Sequence, residues 1–321
     1  MQTLSDPKLC MQSRISSLAS LIGNTPLIAL HISWKGQRRI IYAKAEYFNL
    51  TGSIKDRMAL KIFEEGIRSG QIKPGDTIVE ATSGSSGISL ASFARALGNP
   101  VRIYMPSTAS DERKAMLRSF GADLNLVEPS CGGIASALDA ALNYAESCED
   151  TFLPDQFANE ANARAHENTT GPEIVRQLAS VGRKPDAFVA GVGTGGTIMG
   201  VSRALRKANS RLQSYAIDPA GSKGGKHRVQ GLNTEFVPAL FNPKETNGTL
   251  TVSDGDAIIM AQRLASQLGL AVGISSGANV VGALLAQDEL GPEATVVTVL
   301  CDDNKKYLST DLARTEPIKP S

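Results

Sequence analysis

Short apolar runs alternate along the chain with longer segments whose apolar residues recur at helical spacing. The short runs predict strands over residues 39–47, 76–82, 100–106, 122–129, 186–196, 212–220 and 294–303. The longer segments predict helices over residues 55–70, 88–98, 110–122, 197–209 and 253–269. Such alternation is typical of parallel sheets covered by helices. The pattern predicts an α/β chain, and a length of 321 residues suits two α/β lobes.

Local signals indicate where some of these elements start and stop. Ser110 and Ser253 precede acidic residues at two helix starts, which predicts hydroxyl caps there. Gly70 is a stop signal for the helix over residues 55–70. Residues 218–249 are the most loop-like stretch, and a loop of that length in a compact enzyme is either functional or mobile.

Composition narrows the classes of partner. The net charge of +1 does not favour nucleic acid or an anionic membrane, and 5% aromatic residues do not favour a base-stacking surface. Residues 1–20 lack the apolar run of a signal peptide or membrane span, so we interpret them as a polar N-terminal arm. Four cysteines without a C-x-x-C spacing indicate a reducing, cytoplasmic setting, and three scattered histidines predict no metal site.

Small polar residues fill several predicted strand–helix junctions. Residues 191–197, GVGTGGT, could gather backbone N–H groups around an anion at a helix start, with a plain flexible turn as the alternative. Residues 80–90 offer hydroxyls and N–H groups suited to a carboxylate, or simply redundant helix caps. Two more small-residue turns, at 230–235 and 273–279, suggest a ligand crevice at the carboxyl ends of the strands.

Lys55 gives these turns a chemical meaning. A lysine at the start of a helix is by itself more often a surface charge than a catalyst. Pyridoxal phosphate, however, needs a lysine amine for a Schiff base, an anion nest for its phosphate and a partner for its pyridine nitrogen. A lysine together with a phosphate loop and a carboxylate loop therefore suggests a pyridoxal-phosphate enzyme acting on an amino acid.

The order of the motifs resembles that of the cysteine synthase and cystathionine β-synthase family, pyridoxal-phosphate enzymes of fold type II. Residues 49–57, NLTGSIKDR, resemble the family's N-P-T/A-G-S-V-K-D-R, and residues 82–87, TSGSSG, resemble T-S-G-N-T-G. GNTPL at 23–27, the segment 156–174, GTGGT at 193–197 and GISSGA at 273–278 also match. The resemblance runs from about residue 21 to residue 312.

The resemblance implies a role for each matching residue. Lys55 is the expected Schiff-base lysine and general base. Cofactor binding is expected from Lys55, Ser85, Gly193, Thr194, Gly195, Gly196, Thr197 and Ser275, with Ser275 facing the pyridine nitrogen. Substrate binding is expected from Thr82, Ser83, Gly84, Ser86, Gln156, Asn233 and Thr234.

The resemblance also implies the reaction and the architecture. It implies amino-acid biosynthesis by β-replacement on a serine-derived, O-acetylserine-like donor through an aminoacrylate, most simply adding sulfide to give L-cysteine in a transferase of EC class 2.5.1. The expected fold has two lobes, each a mostly parallel twisted sheet covered by helices, with the active site between them. Residues 49–153 form the smaller, mobile substrate domain, and residues 21–48 with 154–321 form the larger cofactor domain. A homodimer is expected, with a small amino acid and a small nucleophile as ligands.

Departures from the family pattern concern the substrate. Ser85 replaces an asparagine that usually reaches the cofactor's ring oxygen, so that hydrogen bond is either bridged by water or lost. Leu50 replaces a proline in the lysine motif. Residues 233–235, Asn-Thr-Glu, replace small residues, and we expect this segment to select the β-substituent or the nucleophile unless the change is a neutral one at the rim.

Two further segments differ from relatives. Residues 222–228, with Lys223, Lys226, His227 and Arg228, could attract an anionic leaving group or nucleophile, although a solvated basic loop is the simpler interpretation. Cys301 falls near the expected cofactor, where a buried, inert thiol is the simpler interpretation.

Other functions remain open at this point. Within the same chemistry they are cystathionine β-synthase, an O-phosphoserine-dependent or 2,3-diaminopropionate-type synthase, and a cysteine or serine β-lyase. Serine dehydratases share the fold but usually carry S-F-K, whereas this chain has SIKDR. A catalytically silent binding protein is the alternative from another class, and retention of Lys55 and the phosphate loop disfavours it.

Overall fold

A computed structural model describes residues 7–128, 130, 132–221, 227–229, 231–232 and 236–317. Within these ranges the strands are β1 Leu27–Trp34, β2 Gln37–Ala45, β3 Thr77–Ala81, β4 Val101–Pro106, β5 Asp123–Val127, β6 Thr151–Phe152, β7 Ala187–Gly191, β8 Gln213–Pro219, β9 Gly248–Val252 and β10 Val296–Leu300. The α-helices are α1 Pro7–Ala19, α2 Lys55–Ser69, α3 Ser85–Leu97, α4 Asp111–Ser119, α5 Gly133–Ser147, α6 Ala161–Ala165, α7 Gly171–Ala179, α8 Gly196–Ala208, α9 Asp254–Leu268 and α10 Ile274–Leu290.

The strands form two sheets, each covered by helices. One sheet has the order β1-β2-β10-β7-β8-β9, and the other has the order β5-β4-β3-β6. Every pairing in the described strands is parallel except that of β1 with β2. All five residues of β10 are buried, as expected of a strand with a helix layer on both faces. The predicted α/β fold with two mostly parallel sheets is confirmed.

The antiparallel pair is a hairpin that the sequence pattern did not reveal. β1 and β2 join through Lys35 and Gly36, both with positive φ, in the tight turn that antiparallel strands favour. Residues of β1 from Ala29 to Ser33 alternate between exposed and buried, because one face of this edge strand is open to solvent. His31 and Ser33 interrupt the apolar run that begins at Leu27.

The predicted helix boundaries agree with the structure. The Ser110 hydroxyl accepts from the backbone N–H of Arg113 at the start of α4, and the Ser253 hydroxyl accepts from Asp256 at the start of α9. Gly70 follows α2 in the left-handed conformation that a helix stop requires. Both predicted serine caps and the glycine stop are therefore confirmed.

Two local interpretations were wrong. The expected polar arm contains α1, whose Met11 and Ile15 are buried in the apolar core around the four-stranded sheet. These apolar residues are four apart, on one face of the helix, so they pack although the segment is polar on average. Residues 273–279, expected to be a turn, are the cap and first turn of α10. None of the described helices has the length and apolar character that crossing a bilayer requires.

The two sheets have separate apolar cores. Strands and helices between Lys55 and Phe152 build the four-stranded unit, and α1 adds to its core. The six-stranded unit uses β1, β2 and the strands from β7 onwards. We call these units the small lobe and the large lobe. The predicted domain boundaries lie close to these limits and stay a prediction.

Candidate active site

A cavity of about 500 Å³ lies between the two lobes, at the carboxyl ends of their parallel strands. Its size is within the range of small-molecule sites. It brings together most of the residues predicted from the sequence: Lys55, Thr82, Ser83, Ser85, Ser86, Gln156, Gly193, Thr194, Gly195, Thr197 and Ser275. Gly84 and Gly196 belong to the same loops without lining the cavity. Asn233 and Thr234 lie outside the described residues.

Lys55 is half-buried and faces this cavity at the first position of α2. The turn before it is joined to the end of β10, because the backbone N–H of Ile54 donates to the Cys301 carbonyl at 2.8 Å. Ser53 pairs with Asp302 in an isolated bridge, and its hydroxyl accepts from the Lys55 N–H at 3.1 Å. These bonds hold Lys55 between the lobes, so it is not a surface lysine.

A buried ion-pair network supports the next turn of α2. The guanidinium of Arg57 contacts Glu46 at 2.6 Å and Glu173 at 2.8 Å, and the ammonium of Lys44 contacts Glu173 at 2.7 Å. Burial disfavours the charged form of Glu173, but the hydrogen bond and charge of Arg57 outweigh it and lower its pKa to about 2. The network attaches α2 to the large lobe next to Lys55.

The predicted carboxylate loop has a rigid backbone. Gly84 has a φ of 150°, and its N–H donates to the Thr82 hydroxyl at 3.0 Å. The guanidinium of Arg113, which is 1% exposed, donates to the Ser83 carbonyl at 2.8 Å. A Cβ at Gly84 would come within 2.3 Å of the Arg113 side chain, so only glycine fits. The loop therefore presents the start of α3 to the cavity in a fixed conformation.

Gln156 closes the cavity beside this loop. Its side-chain amide donates to the Ala81 carbonyl at 2.9 Å, which leaves one amide hydrogen for a ligand. Its backbone N–H donates to the Glu80 carboxylate at 3.1 Å. Burial raises the pKa of Glu80 to about 8, so this carboxyl is mostly neutral at pH 7.

The predicted phosphate loop joins β7 to α8 and depends on small residues. A Cβ at Gly193 would lie 2.5 Å from the Gly231 carbonyl oxygen, and one at Gly196 would lie 2.0 Å from the Asn162 side chain. Thr197 contacts the His166 ring at 3.3 Å. Burial, followed by the charge of Arg57, lowers the pKa of His166 to about 3, so the ring is neutral. The loop offers N–H groups and hydroxyls at a helix start, where anions bind.

Ser275 lies in the first turn of α10 and lines the cavity together with Cys301. The Cys301 sulfur accepts from the Asn279 amide at 3.3 Å. Burial raises the pKa of the Cys301 thiol to about 11, so it stays protonated and is a weak nucleophile at neutral pH. This agrees with the interpretation of Cys301 as an inert thiol.

The basic segment over residues 222–228 is described only from His227 onwards. Arg228 is exposed, in line with a solvated basic loop, and its guanidinium also contacts Glu316 at 2.5 Å, Asp311 at 3.3 Å and Asp254 at 3.7 Å. These three carboxylates offset the positive charge that an anionic ligand would meet at Arg228. Among the described residues, no three His, Cys, Asp or Glu side chains cluster as a metal site requires.

Comparisons with known proteins agree with this geometry. The family model described as "Pyridoxal-phosphate dependent enzyme" matches residues 18–302. This chain belongs to that family. It is 40% identical to a cysteine synthase of Staphylococcus aureus (strain Mu50) over 310 residues, which are 94% of this chain and 98% of that protein. The resemblance to cysteine synthases is thereby confirmed.

Solved structures of this pyridoxal-phosphate family are similar along the whole chain. A hydrogen sulfide-producing enzyme from Fusobacterium nucleatum is 45% identical, with a TM-score of 0.91 over 96% of this chain and 94% of that one. An O-acetylserine dependent cystathionine beta-synthase from Helicobacter pylori is 32% identical, with a TM-score of 0.84 over 97% and 99%. The fold type II architecture is therefore shared.

As a member of this family the enzyme depends on pyridoxal phosphate, and the cavity fits that cofactor. Lys55 would hold its aldehyde carbon, the loop from Gly193 to Thr197 would hold its phosphate, and Ser275 would face its pyridine nitrogen. Gly193 and Gly195 have to be glycines, because a Cβ at either would come within 3.0 Å of backbone atoms of Gly231 or Phe241. The loop can therefore present bare backbone N–H groups at the start of α8, as a bound phosphate requires.

Among the cavity residues of this pyridoxal-phosphate enzyme that sequence reasoning missed are three polar ones that contact one another, Arg113, Asp302 and Tyr307. Arg113 lies in a helix of high charge, where an exposed position is the natural expectation. Asp302 carries a signal that could have been used, because it directly follows the buried strand β10, and ligands bind at the carboxyl ends of parallel strands. Tyr307 lies beyond any regular element and becomes relevant only through its contact with Asp302.

Proposed function

We propose that the enzyme catalyses β-replacement on a serine-derived, O-acetylserine-like amino acid, with sulfide as nucleophile and L-cysteine as product. The observation that carries this proposal is Lys55, placed in one cavity between a carboxylate loop and a phosphate loop. Identity of 40% to a cysteine synthase supports it. The reaction is a transfer that belongs to EC class 2.5.1.

Each side of the cavity has a part in this reaction. Bound pyridoxal phosphate supplies an electron sink that acidifies the α-carbon of an attached amino acid. The amine of Lys55 would hold the cofactor and, once free, would take the α-proton as general base. Ser275 is neutral, so it leaves the pyridine nitrogen without the full charge that an aspartate partner would induce. A weaker sink suits elimination, in which the leaving group departs with the electrons.

The substrate carboxylate has its own anchor on the small lobe. The turn at Thr82 and Ser83 and the start of α3 at Ser86 offer N–H groups and hydroxyls, and Gln156 offers one amide hydrogen. These donors would hold the α-carboxylate of an amino acid on the small-lobe side of the cavity. We propose that Asn233 and Thr234 affect the choice of leaving group or nucleophile.

A second candidate is β-replacement with a different sulfur donor or nucleophile. Identity of 45% to a hydrogen sulfide-producing enzyme favours cysteine as a donor that releases sulfide. The Helicobacter pylori relative, an O-acetylserine dependent cystathionine beta-synthase, favours a thiol amino acid as nucleophile. O-Acetylserine, O-phosphoserine, serine and cysteine tested in turn, each with sulfide or homocysteine and with the product identified by mass, distinguish these reactions.

We also propose a cytoplasmic homodimer. Cysteines spaced without disulfide motifs support a reducing compartment, and the family resemblance supports the dimer. Light scattering on the purified holoenzyme measures the assembly directly, with twice the chain mass of 33.9 kDa expected.

Substitution of Lys55 tests the proposed function. Lys55→Ala removes the amine that holds the cofactor and accepts the α-proton, so the bound-cofactor absorption band and cysteine formation are both expected to be lost. Lys61→Ala is the matched control, because Lys61 lies on the same helix outside the cavity and pairs with Glu65 at 3.4 Å. Wild-type protein that carries no cofactor, or a Lys55→Ala variant with full activity, would refute the proposal.

A further inference from the structure

The hydroxyl of Ser85 is already committed within the protein. Ser85 is the first residue of α3 and lines the cavity. Its hydroxyl donates to Oδ2 of Asp302 at 2.9 Å, across the two lobes. A serine hydroxyl has one proton and two acceptor positions. With that proton directed at Asp302, Ser85 can only accept a hydrogen bond from a ligand.

Asp302 is positioned to keep accepting this hydrogen bond from Ser85. It is 3% exposed, and the hydroxyl of Tyr307 donates to the same Oδ2 at 2.6 Å. Burial and the charge of Asp302 raise the pKa of Tyr307, so its hydroxyl remains a donor. The guanidinium of Arg113 lies 5.0 Å from the centre of the Tyr307 ring and holds the ring in place. The position of the carboxylate is thus set from both lobes.

The carboxylate of Asp302 also has unused accepting capacity. Its Oδ1 has no hydrogen-bond partner in the described part of the chain, and no described cation lies within ion-pair distance of the carboxylate. Oδ1 occupies the space beside Gly273, where a Cβ would come within 2.5 Å. The hydrogen bonds that this carboxylate accepts from Ser85 and Tyr307 are strong, because hydrogen bonds to a charged acceptor are stronger than those between neutral groups.

We propose that Asp302, supported by Tyr307, makes Ser85 a hydrogen-bond acceptor toward the cavity, so that the group of the cofactor facing Ser85 must be a donor. This inference rests on the proposed function, in which pyridoxal phosphate extends from Lys55 to Ser275 with its ring oxygen toward Ser85. The usual asparagine at this position would donate an N–H to that oxygen. Here the hydrogen-bond polarity is reversed, and the ring oxygen carries the proton itself. Asp302 is a positioning residue, because it acts through Ser85.

The charge of Asp302 acts in the same direction as the hydrogen bond. When the ring proton moves to the nitrogen that joins the cofactor to Lys55, the ring oxygen becomes negative. A negative oxygen beside Ser85 would be repelled by the buried carboxylate, and the repulsion is strong where water is excluded. Both effects favour the form with a protonated ring oxygen, which absorbs in the near ultraviolet rather than in the visible.

The absorption spectrum of the resting holoenzyme tests this inference without measuring activity. Asp302→Leu removes both the hydrogen-bond acceptor and the negative charge. The Ser85 hydroxyl is then able to donate a hydrogen bond to a group in the cavity. The ratio of the visible band to the near-ultraviolet band is expected to rise about threefold to tenfold, as one hydrogen bond predicts. Ser85→Asn restores a donor directly and is expected to raise the ratio by a similar factor, which provides a second measurement if Asp302→Leu does not fold.

Asp303→Asn is the matched control, since Asp303 is the neighbouring carboxylate, does not line the cavity and caps the turn at Lys305. Its band ratio is expected to equal that of the wild type. If the cofactor is bound and both Asp302→Leu and Ser85→Asn leave the ratio unchanged, the inference is wrong while the proposed function stands. If the wild-type protein binds no cofactor, the proposed function itself fails.

Discussion

At the scale of single residues, burial decides which charges have chemical consequences. Lys55, Glu80 and Asp302 are three ionisable groups in or next to one cavity, and each has a different environment. Lys55 is half-buried beside ligand space, whereas Glu80 accepts two backbone N–H bonds inside the small lobe. Among the residues that the structure describes, the carboxylate of Asp302 accepts hydrogen bonds from two hydroxyl groups. From the sequence alone, Glu80 would have the same pKa as an exposed glutamate. Burial in the folded protein raises the pKa of Glu80 above that value.

Glu80 predicts a pH dependence of stability. Its pKa rises to about 8 in the folded protein from an ordinary value of 4.5, so the folded state binds more protons than the unfolded state between these values. The contribution of Glu80 to the free energy of unfolding is therefore expected to fall as pH rises from about 4.5 to about 8. Glu80→Gln cannot ionise, and the slope of unfolding free energy against pH is expected to flatten over that window.

The slope is the informative quantity in this measurement. Glutamine places an N–H₂ group opposite one of the two backbone N–H donors at Glu80, so absolute stability falls at every pH. Urea unfolding at several pH values separates this constant loss from the slope. Glu149→Gln, an exposed control, leaves the buried carboxyl in place and is expected to keep the wild-type slope. An unaltered slope in Glu80→Gln would show that Glu80 is ionised in the folded protein.

At the scale of elements, the start of α2 is held by charged side chains as well as by the Ser53 hydroxyl, which accepts from the Lys55 N–H. The cap residue of α2, Ile54, provides no side-chain hydrogen bond. Asp56 instead accepts from the backbone N–H and the hydroxyl of Thr51 at 2.7 and 2.6 Å, and Arg57 pairs with Glu46 and Glu173. These contacts fix the residues just before and just after Lys55. Asp56 and Arg57 therefore both serve to position the neighbouring lysine.

Arg57→Ala is expected to destabilise the protein strongly. The substitution leaves Glu46 and Glu173 buried without their main cation, and breaking a buried pair in this way costs about 3–5 kcal/mol. Asp123→Asn removes an exposed partner of Arg102, with an expected cost of about 0–1 kcal/mol. Denaturant unfolding of the two variants measures the difference. Equal losses would mean that water reaches the Arg57 network.

At the scale of the whole molecule, one of the sets of contacts between the lobes lies beside the cavity. The Ser110 hydroxyl at the start of α4 donates to the Lys306 carbonyl at 2.5 Å and accepts from the Arg113 guanidinium at 2.8 Å. Glu112 accepts from the N–H and the hydroxyl of Ser309 at 2.8 and 2.7 Å. The segment after β10 is therefore the part of the large lobe that the small lobe contacts through hydrogen bonds here.

Ser110→Ala tests how much this contact contributes to the free energy of unfolding. Three groups, the Lys306 carbonyl, the Arg113 Nε–H and the Arg113 backbone N–H, lose this hydrogen bond, and the expected cost is about 1–3 kcal/mol in free energy of unfolding. Ser107→Ala is the control, because its hydroxyl bonds Glu128 in an exposed position, and a change within about 0.5 kcal/mol is expected. If both variants lose the same small amount of unfolding free energy, the contact at Ser110 does not stabilise the protein.

Periodicity and local motifs were enough for the elements and for much of the site. Buried central strands such as β10 are continuous apolar runs, and the caps at Ser110 and Ser253 depend only on neighbours in sequence. The lysine and phosphate motifs are also short, so each could be found without knowing what lies opposite. Local patterns did not reveal β1 or the packing of α1, because one face of each is polar.

The chain by itself therefore determined the α/β class, the lysine and the loops around it. Only the tertiary structure decided that Asp302 accepts a hydrogen bond from Ser85, that Tyr307 and Arg113 support it, and that three carboxylates contact Arg228. The physical reason is distance along the chain. Ser85 and Asp302 are 217 positions apart, and a hydrogen bond between such residues has no local signature. Whether a polar group donates, accepts or is neutralised depends on the partner that folding places beside it.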